Sequence, residues 1–235
     1  MPELSIVLPA YNEAAGLRDL VSEYRDAGEG RDFELIIVDN GSNDDTANIL
    51  RELQASEHNA FLRPTRVDIN KGYGFGIWSG LQEAKGTYLS WSHADTQCAP
   101  KDVFRAFDHL KGCDNPERTL VKGLRAKRSI AAEMTTIGMR AFALFLLDGR
   151  LVDINGQPKV FHRGLLSILP DPAKDLSFDL YVFYRALQEG WAIETIPVVF
   201  GERLHGQSRW AFSFLSRYKT IFAAIRYMVQ LRFRG

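Results

Sequence analysis

The residues His93-Ala94-Asp95-Thr96-Gln97 set an imidazole, a carboxylate and a carboxamide at alternate positions. Asp supplies a hard carboxylate oxygen, Gln a carbonyl oxygen and His a ring nitrogen. The oxygens suit Mg²⁺ or Mn²⁺, and the imidazole tilts the choice toward Mn²⁺ or another transition ion. Such an ion would most naturally neutralise a diphosphate. Taken alone, the stretch reads equally as a polar turn closing a strand, because turns favour Asp and His.

For these side chains to act, a strand must carry them. Gly86-Thr87-Tyr88-Leu89-Ser90-Trp91-Ser92 has the β-branched, aromatic and small residues of one. Leu4 to Pro9 and Phe33 to Val38 read as two further buried strands. A helix is expected from Asn12-Glu13 to Tyr24, with Leu17, Leu20, Val21 and Tyr24 at helical spacing. Asp44 or Asp45 can cap a second helix through Leu53. A third strand lies either at Ala60 to Arg63 or at Arg66 to Ile69, and a Gly-rich turn and helix follow from Gly72 to Ala84. Repeated β-α units predict an α/β fold with a mostly parallel sheet and right-handed crossovers. In the second half, Leu120 to Arg125 reads as a strand and Ile130 to Leu147 as a long helix. Val152 to His162 reads as irregular, Phe178 to Glu189 as a helix closed by Gly190, and Ala192 to Phe200 as an edge strand.

Composition narrows the class. The 235 residues are 46% hydrophobic and 25% charged, enough for one large domain with a real core. Lys+Arg and Asp+Glu both number 29, so bulk charge gives no reason to expect nucleic acid. Cys98 and Cys113 make neither a disulfide framework nor a CxxC metal site, and a cytoplasmic setting is expected. No signal peptide is expected, and the apolar run near Ala141 to Leu147 is too short to span a bilayer.

Three strand ends carry polar clusters: Pro9-Ala10-Tyr11-Asn12-Glu13, Asp39-Asn40-Gly41-Ser42 and the His93 stretch. In a parallel sheet these ends share one edge, where α/β ligand sites form. Tyr11 could stack on a base, Asp39 could accept from a base N–H, and Glu13 from a ribose hydroxyl. Asn70-Lys71-Gly72-Tyr73-Gly74 adds a basic, flexible turn that can approach a diphosphate.

At this point the chain resembles the family 2 glycosyltransferases of the GT-A fold, especially the dolichyl-phosphate mannose synthase-like branch. The three strand-end clusters and Asn70 to Gly74 carry the resemblance. Asp153-Ile154-Asn155-Gly156-Gln157-Pro158-Lys159 and Arg203-Leu204-His205-Gly206-Gln207-Ser208-Arg209-Trp210 continue it in family order. It implies a GT-A domain over residues 1–211, a GDP- or UDP-linked sugar donor, a divalent ion (Mn²⁺ or Mg²⁺) and inversion at the anomeric carbon. Pro9, Ala10, Tyr11, Glu13, Asp39, Ser42, Asn70, Lys71 and Gly72 would hold the nucleotide. The family's metal motif is Asp-x-Asp followed by x-Gln; Asp95 and Gln97 match it, while His93 replaces the first Asp and brings no negative charge. Arg203, Ser208 and Arg209 resemble the family's loop near the donor phosphates.

The acceptor follows from cations. Lys122-Gly123-Leu124-Arg125-Ala126-Lys127-Arg128 places four within seven positions. Arg suits phosphate by bidentate bonding, and Arg125, with Arg128 as the nearest second arginine, would hold a polyprenyl or dolichyl phosphate. Such a phosphate is ionised near pH 7 and needs no general base, whereas a sugar hydroxyl does. Asp179 stands where hydroxyl-acceptor members carry a base, and equally where a helix N-terminus favours negative charge. Asp153 is a second candidate base, or orders its own loop. The tail, residues 212–235, has apolar residues at helical spacing and five cations with no acid (Arg217, Lys219, Arg226, Arg232 and Arg234). That fits a helix on the cytoplasmic membrane face, or one packed on the domain. Three functions stay open: transfer to a lipid phosphate, transfer to a glycan hydroxyl in surface polysaccharide synthesis, and a weakly catalytic sugar-nucleotide-binding subunit.

Overall fold

The structure is a computed structural model and describes residues 1–125, 153–201 and 226–227. Among the described residues, seven strands form one sheet: β1 (Leu4–Ala10), β2 (Phe33–Asn40), β3 (Leu62–Val67), β4 (Tyr88–Trp91), β5 (Thr119–Arg125), β6 (Lys159–His162) and β7 (Ala192–Val198). Their order is β3-β2-β1-β4-β6-β5-β7. Only β6 runs against its neighbours, antiparallel to both β4 and β5. The other six strands therefore end on one edge, and β6 starts there.

Among the described residues, five helices cover the sheet: α1 (Leu17–Ala27), α2 (Thr46–Gln54), α3 (Tyr73–Glu83), α4 (Pro100–Lys111) and α5 (Phe178–Gln188). Because both faces are covered, β1 and β2 are buried at nearly every position. Ile6, Leu8, Leu35 and Ile37 pack toward α1 and α4 with Leu20, Val103 and Leu110. Val7, Val38 and Leu89 pack on the other face with Ile77, Phe178 and Phe183. Helix α3 reaches that face closely because Gly80 has no side chain; a Cβ there would sit 2.4 Å from Val7 Cγ1.

The structure corrects three expectations. The first helix begins at Leu17 rather than Asn12. The intervening backbone N–H groups are used elsewhere: Asn12 donates to Ser42 Oγ (3.0 Å), Glu13 to Thr46 Oγ1 (3.2 Å) and Ala14 to Asp44 Oδ2 (3.2 Å). Asn12 is also left-handed at φ +56°. The third strand takes in parts of both candidate stretches. The supposedly irregular 152–162 region contains β6, whose partners Leu89, Trp91 and Val121 lie far away in sequence. The edge strand β7 and the Gly190 closure of α5 (φ +72°) stand as expected. The expected 130–147 helix and the tail helix lie outside the described residues, apart from Arg226 and Tyr227.

Candidate active site

The cleft edge is built first from β1 and β2. Ala10 and Asp39 are register partners, so the two loops that follow leave the sheet side by side. Besides the three bonds above, Asn43 N donates to Asn12 Oδ1 at 2.9 Å. The β2 loop in turn touches the loop before α3: Asn40 Nδ2 donates to the Gly72 carbonyl (3.0 Å), and Asn70 Oδ1 accepts from Gly72 N (2.9 Å). Gly41 sits at φ +74°, and a Cβ on it would lie 2.7 Å from Asn70 N. Gly72 (φ +119°) passes so close beneath the Lys174 carbonyl that a Cβ would sit 2.4 Å from it. Pro9, Ala10, Tyr11, Glu13, Asp39, Ser42, Asn70, Lys71 and Gly72 are thus brought to one place. Asp39 is buried; its Oδ1 accepts from Ser42 N at 2.8 Å.

The ends of β4, β5 and β7 build the second half. His93 packs edge-on against Tyr73 and Phe200, at ring separations of 5.8 and 6.2 Å. The Arg125 guanidinium lies 5.4 Å from the centre of the same Phe200 ring. Asp95 Oδ1 accepts from Gln97 N at 3.2 Å, with Thr96 left-handed at φ +61° between them. The segment after β7 is stapled to this turn: Gly201 N donates to the Gln97 carbonyl (2.9 Å), and Gln97 Nε2 donates to the Gly201 carbonyl (3.3 Å).

Do these residues suit a divalent ion? His93 Nδ1 is buried, makes no hydrogen bond, and lies 3.9 Å from Asp95 Oδ1. Burial holds the imidazole below its ordinary pKa and hence neutral at pH 7. A neutral ring nitrogen facing a carboxylate, with the Gln97 amide oxygen in the same turn, fits a cation. Among the described residues no group of three His, Cys, Asp or Glu gathers. These three side chains by themselves would make only a partial ligand set for such an ion.

Beneath this end lies a buried charge network that sequence reasoning missed. Trp91, Lys159 and Lys122 are register partners across β4, β6 and β5. Lys159 is fully buried; its Nζ lies 2.7 Å from Asp179 Oδ1, which also accepts from Trp91 Nε1 at 3.0 Å. Gln157, with its amide oriented to suit its neighbours, donates to the Trp91 carbonyl (3.1 Å) and accepts from Lys159 and the Tyr73 hydroxyl (2.9 Å each). Asp153, left-handed at φ +48°, accepts from Arg125 N and Nε at 3.1 Å, and its carbonyl accepts from Lys122 Nζ at 2.5 Å. Of the expected basic turn, Lys122 is therefore interior and Arg125 is paired with Asp153, which orders its own loop. Arg128, Arg203, Ser208 and Arg209 lie outside the described residues.

Burial, and then the neighbouring Lys159, bring the Lys122 ammonium down to about 7 from an ordinary 10.5. Between those two values the folded chain binds fewer protons than the unfolded one, so folding stability should rise with pH. We expect a rise on the order of 3 kcal/mol between pH 7 and 9.5 in urea titrations. Lys122→Met should show a clearly shallower rise.

The glycosyl transferase family 2 model matches residues 5–130, more than half of the chain. The chain belongs to glycosyl transferase family 2. Among curated family relatives it is 33% identical over 124 residues to the uncharacterized glycosyltransferase YfnE of Bacillus subtilis, covering 53% of this chain and 30% of that protein. It is also 33% identical over 102 residues to the undecaprenyl-phosphate 4-deoxy-4-formamido-L-arabinose transferase of Shewanella sediminis, covering 43% of this chain and 30% of that protein. The matched stretch thus spans under a third of either relative. The fold is the GT-A fold. It is similar to glucosyl-3-phosphoglycerate synthase of Mycobacterium tuberculosis in complex with Mn²⁺, uridine diphosphate and glucosyl-3-phosphoglycerate. That superposition has a TM-score of 0.76 at 19% identity, over 98% of this chain and 80% of that one.

Proposed function

We propose that this family 2 member is an inverting, metal-dependent transferase that moves a hexose from a nucleoside-diphosphate sugar to a polyprenyl or dolichyl phosphate. The observation that carries the acceptor class is the state of Asp179. A hydroxyl acceptor needs a base open to the cleft, but Asp179 is 2% exposed and held by Lys159 and Trp91. A phosphate acceptor needs no proton removed.

In this reading Asp39 and Ser42 hold the base, Glu13 the ribose, Tyr11 stacks on the base, and Asn70, Lys71 and Gly72 flank the diphosphate. His93, Asp95 and Gln97 would hold Mn²⁺ or Mg²⁺, which when bound supplies positive charge where the leaving diphosphate gains negative charge. Arg125, oriented by Asp153, holds the acceptor phosphate so that its oxygen attacks the anomeric carbon opposite the diphosphate, and the configuration inverts. Arg128, Arg203, Ser208 and Arg209 complete the two phosphate sites on the strength of the sequence pattern. The lipid acceptor itself would bring the chain to the cytoplasmic membrane face, and the cationic tail suits that contact. Among the described residues no helix is long and apolar enough to cross a membrane.

The test is transfer of labelled sugar, with Mn²⁺, to polyprenyl phosphate and to oligosaccharide acceptors in parallel. Lipid-linked product is expected, and Arg125→Ala should raise the lipid-phosphate KM about 10- to 100-fold with the donor KM unchanged. Transfer to glycan hydroxyls alone would assign the other acceptor class. Donor binding without transfer to either would leave a sugar-nucleotide-binding subunit.

A further inference from the structure

Val198, the last residue of β7, is the register partner of Arg125, the last residue of β5. The residues after Val198 therefore extend past the end of β5. Val198 is buried, Val199 is 69% exposed and Phe200 turns back inward, which continues the alternation of the strand. The Phe200 ring packs against the core on the side of α1 and α4. It meets the His93 ring edge-on at 6.2 Å, with the planes at 89°, and the Arg125 guanidinium carbon lies 5.4 Å from its centre. The next residue, Gly201, holds this stretch in place through its two bonds to Gln97, at 2.9 and 3.3 Å. The second of these also orients the Gln97 amide. A backbone carbonyl only accepts, so Nε2 is the end that faces Gly201, and Oε1 is left for an ion.

We propose that Phe200 is a positioning residue shared by both halves of the site: one ring aims the His93 imidazole at the ion and the Arg125 guanidinium at the acceptor phosphate. The acceptor half of this inference rests on the lipid-phosphate reading above; the His93 half does not. His93 is uncharged, so its worth as a ligand depends on its being held in the right direction. Tyr73 holds one side of the ring at 5.8 Å, with its own hydroxyl bonded to Gln157, and Phe200 holds another. Between them Nδ1 stays 3.9 Å from Asp95 Oδ1. Arg125 is confined in the same way, by Asp153 at Nε (3.1 Å) and by the negative face of the Phe200 ring. A guanidinium fixed on two sides loses less freedom when it takes up a phosphate. Contacts of these two kinds are each worth about three- to tenfold in an equilibrium.

Phe200→Leu, which keeps an apolar side chain and removes the ring, tests this in the full chain. Electron paramagnetic resonance of Mn²⁺, with UDP and in parallel with GDP, should show ion affinity about three- to tenfold weaker than in wild type. At saturating Mn²⁺ the KM for polyprenyl phosphate should rise about three- to tenfold, with the donor KM unchanged. Phe200→Met fills the same space without a π face and should behave as Phe200→Leu does, whereas Phe200→Tyr should restore both affinities. A ring that only packs the core would instead lower the unfolding midpoint and leave both affinities as they were. Unchanged Mn²⁺ affinity in Phe200→Leu or Phe200→Met, with the chain folded by circular dichroism, would overturn the role of Phe200. A shift in Mn²⁺ affinity without a shift in acceptor KM would overturn the sharing. Wild-type protein that makes no lipid-linked product would overturn the acceptor reading, and the Mn²⁺ measurement would still decide the His93 half.

Discussion

Asp95→Asn is expected to lower metal-dependent transfer by about 10³-fold while leaving the fold intact. Asn keeps an oxygen for Gln97 N, the one backbone bond the carboxylate makes in its turn. What it removes is charge. His93 is neutral and Gln97 carries none, so Asp95 is the anionic member of the trio. Loss of that anion should also appear away from turnover. Electron paramagnetic resonance with Mn²⁺ and a nucleoside diphosphate should show ion affinity falling about tenfold or more. Wild-type turnover and unchanged Mn²⁺ affinity in Asp95→Asn would show that the ion, if used, is held elsewhere. His93→Asp, which creates the usual two-carboxylate arrangement, should raise Mn²⁺ affinity.

Asp179→Leu is expected to cost about 3–5 kcal/mol of stability, because it strands the buried Lys159 ammonium. The double variant Asp179→Leu/Lys159→Met should recover most of that loss, since an apolar pair of similar volume avoids burying either ion. Urea unfolding measures both. The same pair of variants separates structure from chemistry. With a phosphate acceptor, the refolded double variant should keep transfer within about tenfold of wild type. If Asp179 were the base of a hydroxyl transfer, both variants would lose about 10²- to 10⁴-fold at any temperature where they are folded. A double variant that is stable yet inactive would therefore sink the acceptor assignment.

The cleft edge was legible in the residues because its signals are local. A buried strand followed by a polar cluster reads the same way three times, at Pro9 to Glu13, at Asp39 to Ser42 and at His93 to Gln97, and a parallel sheet aligns such ends. Strand β6 was not legible. It is four residues long, begins with a lysine and owes its strand character to Trp91 and Val121, which lie far off in the chain. The start of α1 was misplaced because the backbone donors of 12–14 are bonded across the sheet edge, to Ser42, Thr46 and Asp44.

By itself the sequence determined the α/β class, the family and which side chains crowd the cleft edge, because periodicity and short motifs need only near neighbours. Tertiary structure alone decided how those side chains are engaged. It put Lys159 against Asp179 and Lys122 beside Lys159, which removes Asp179 from the cleft and brings an amine toward neutrality. It set Arg66 opposite Asp39 and spent Oδ1 on Ser42. Pairing across strands and burial of charge depend on register and on dielectric, and neither is written in the spacing of residues along the chain.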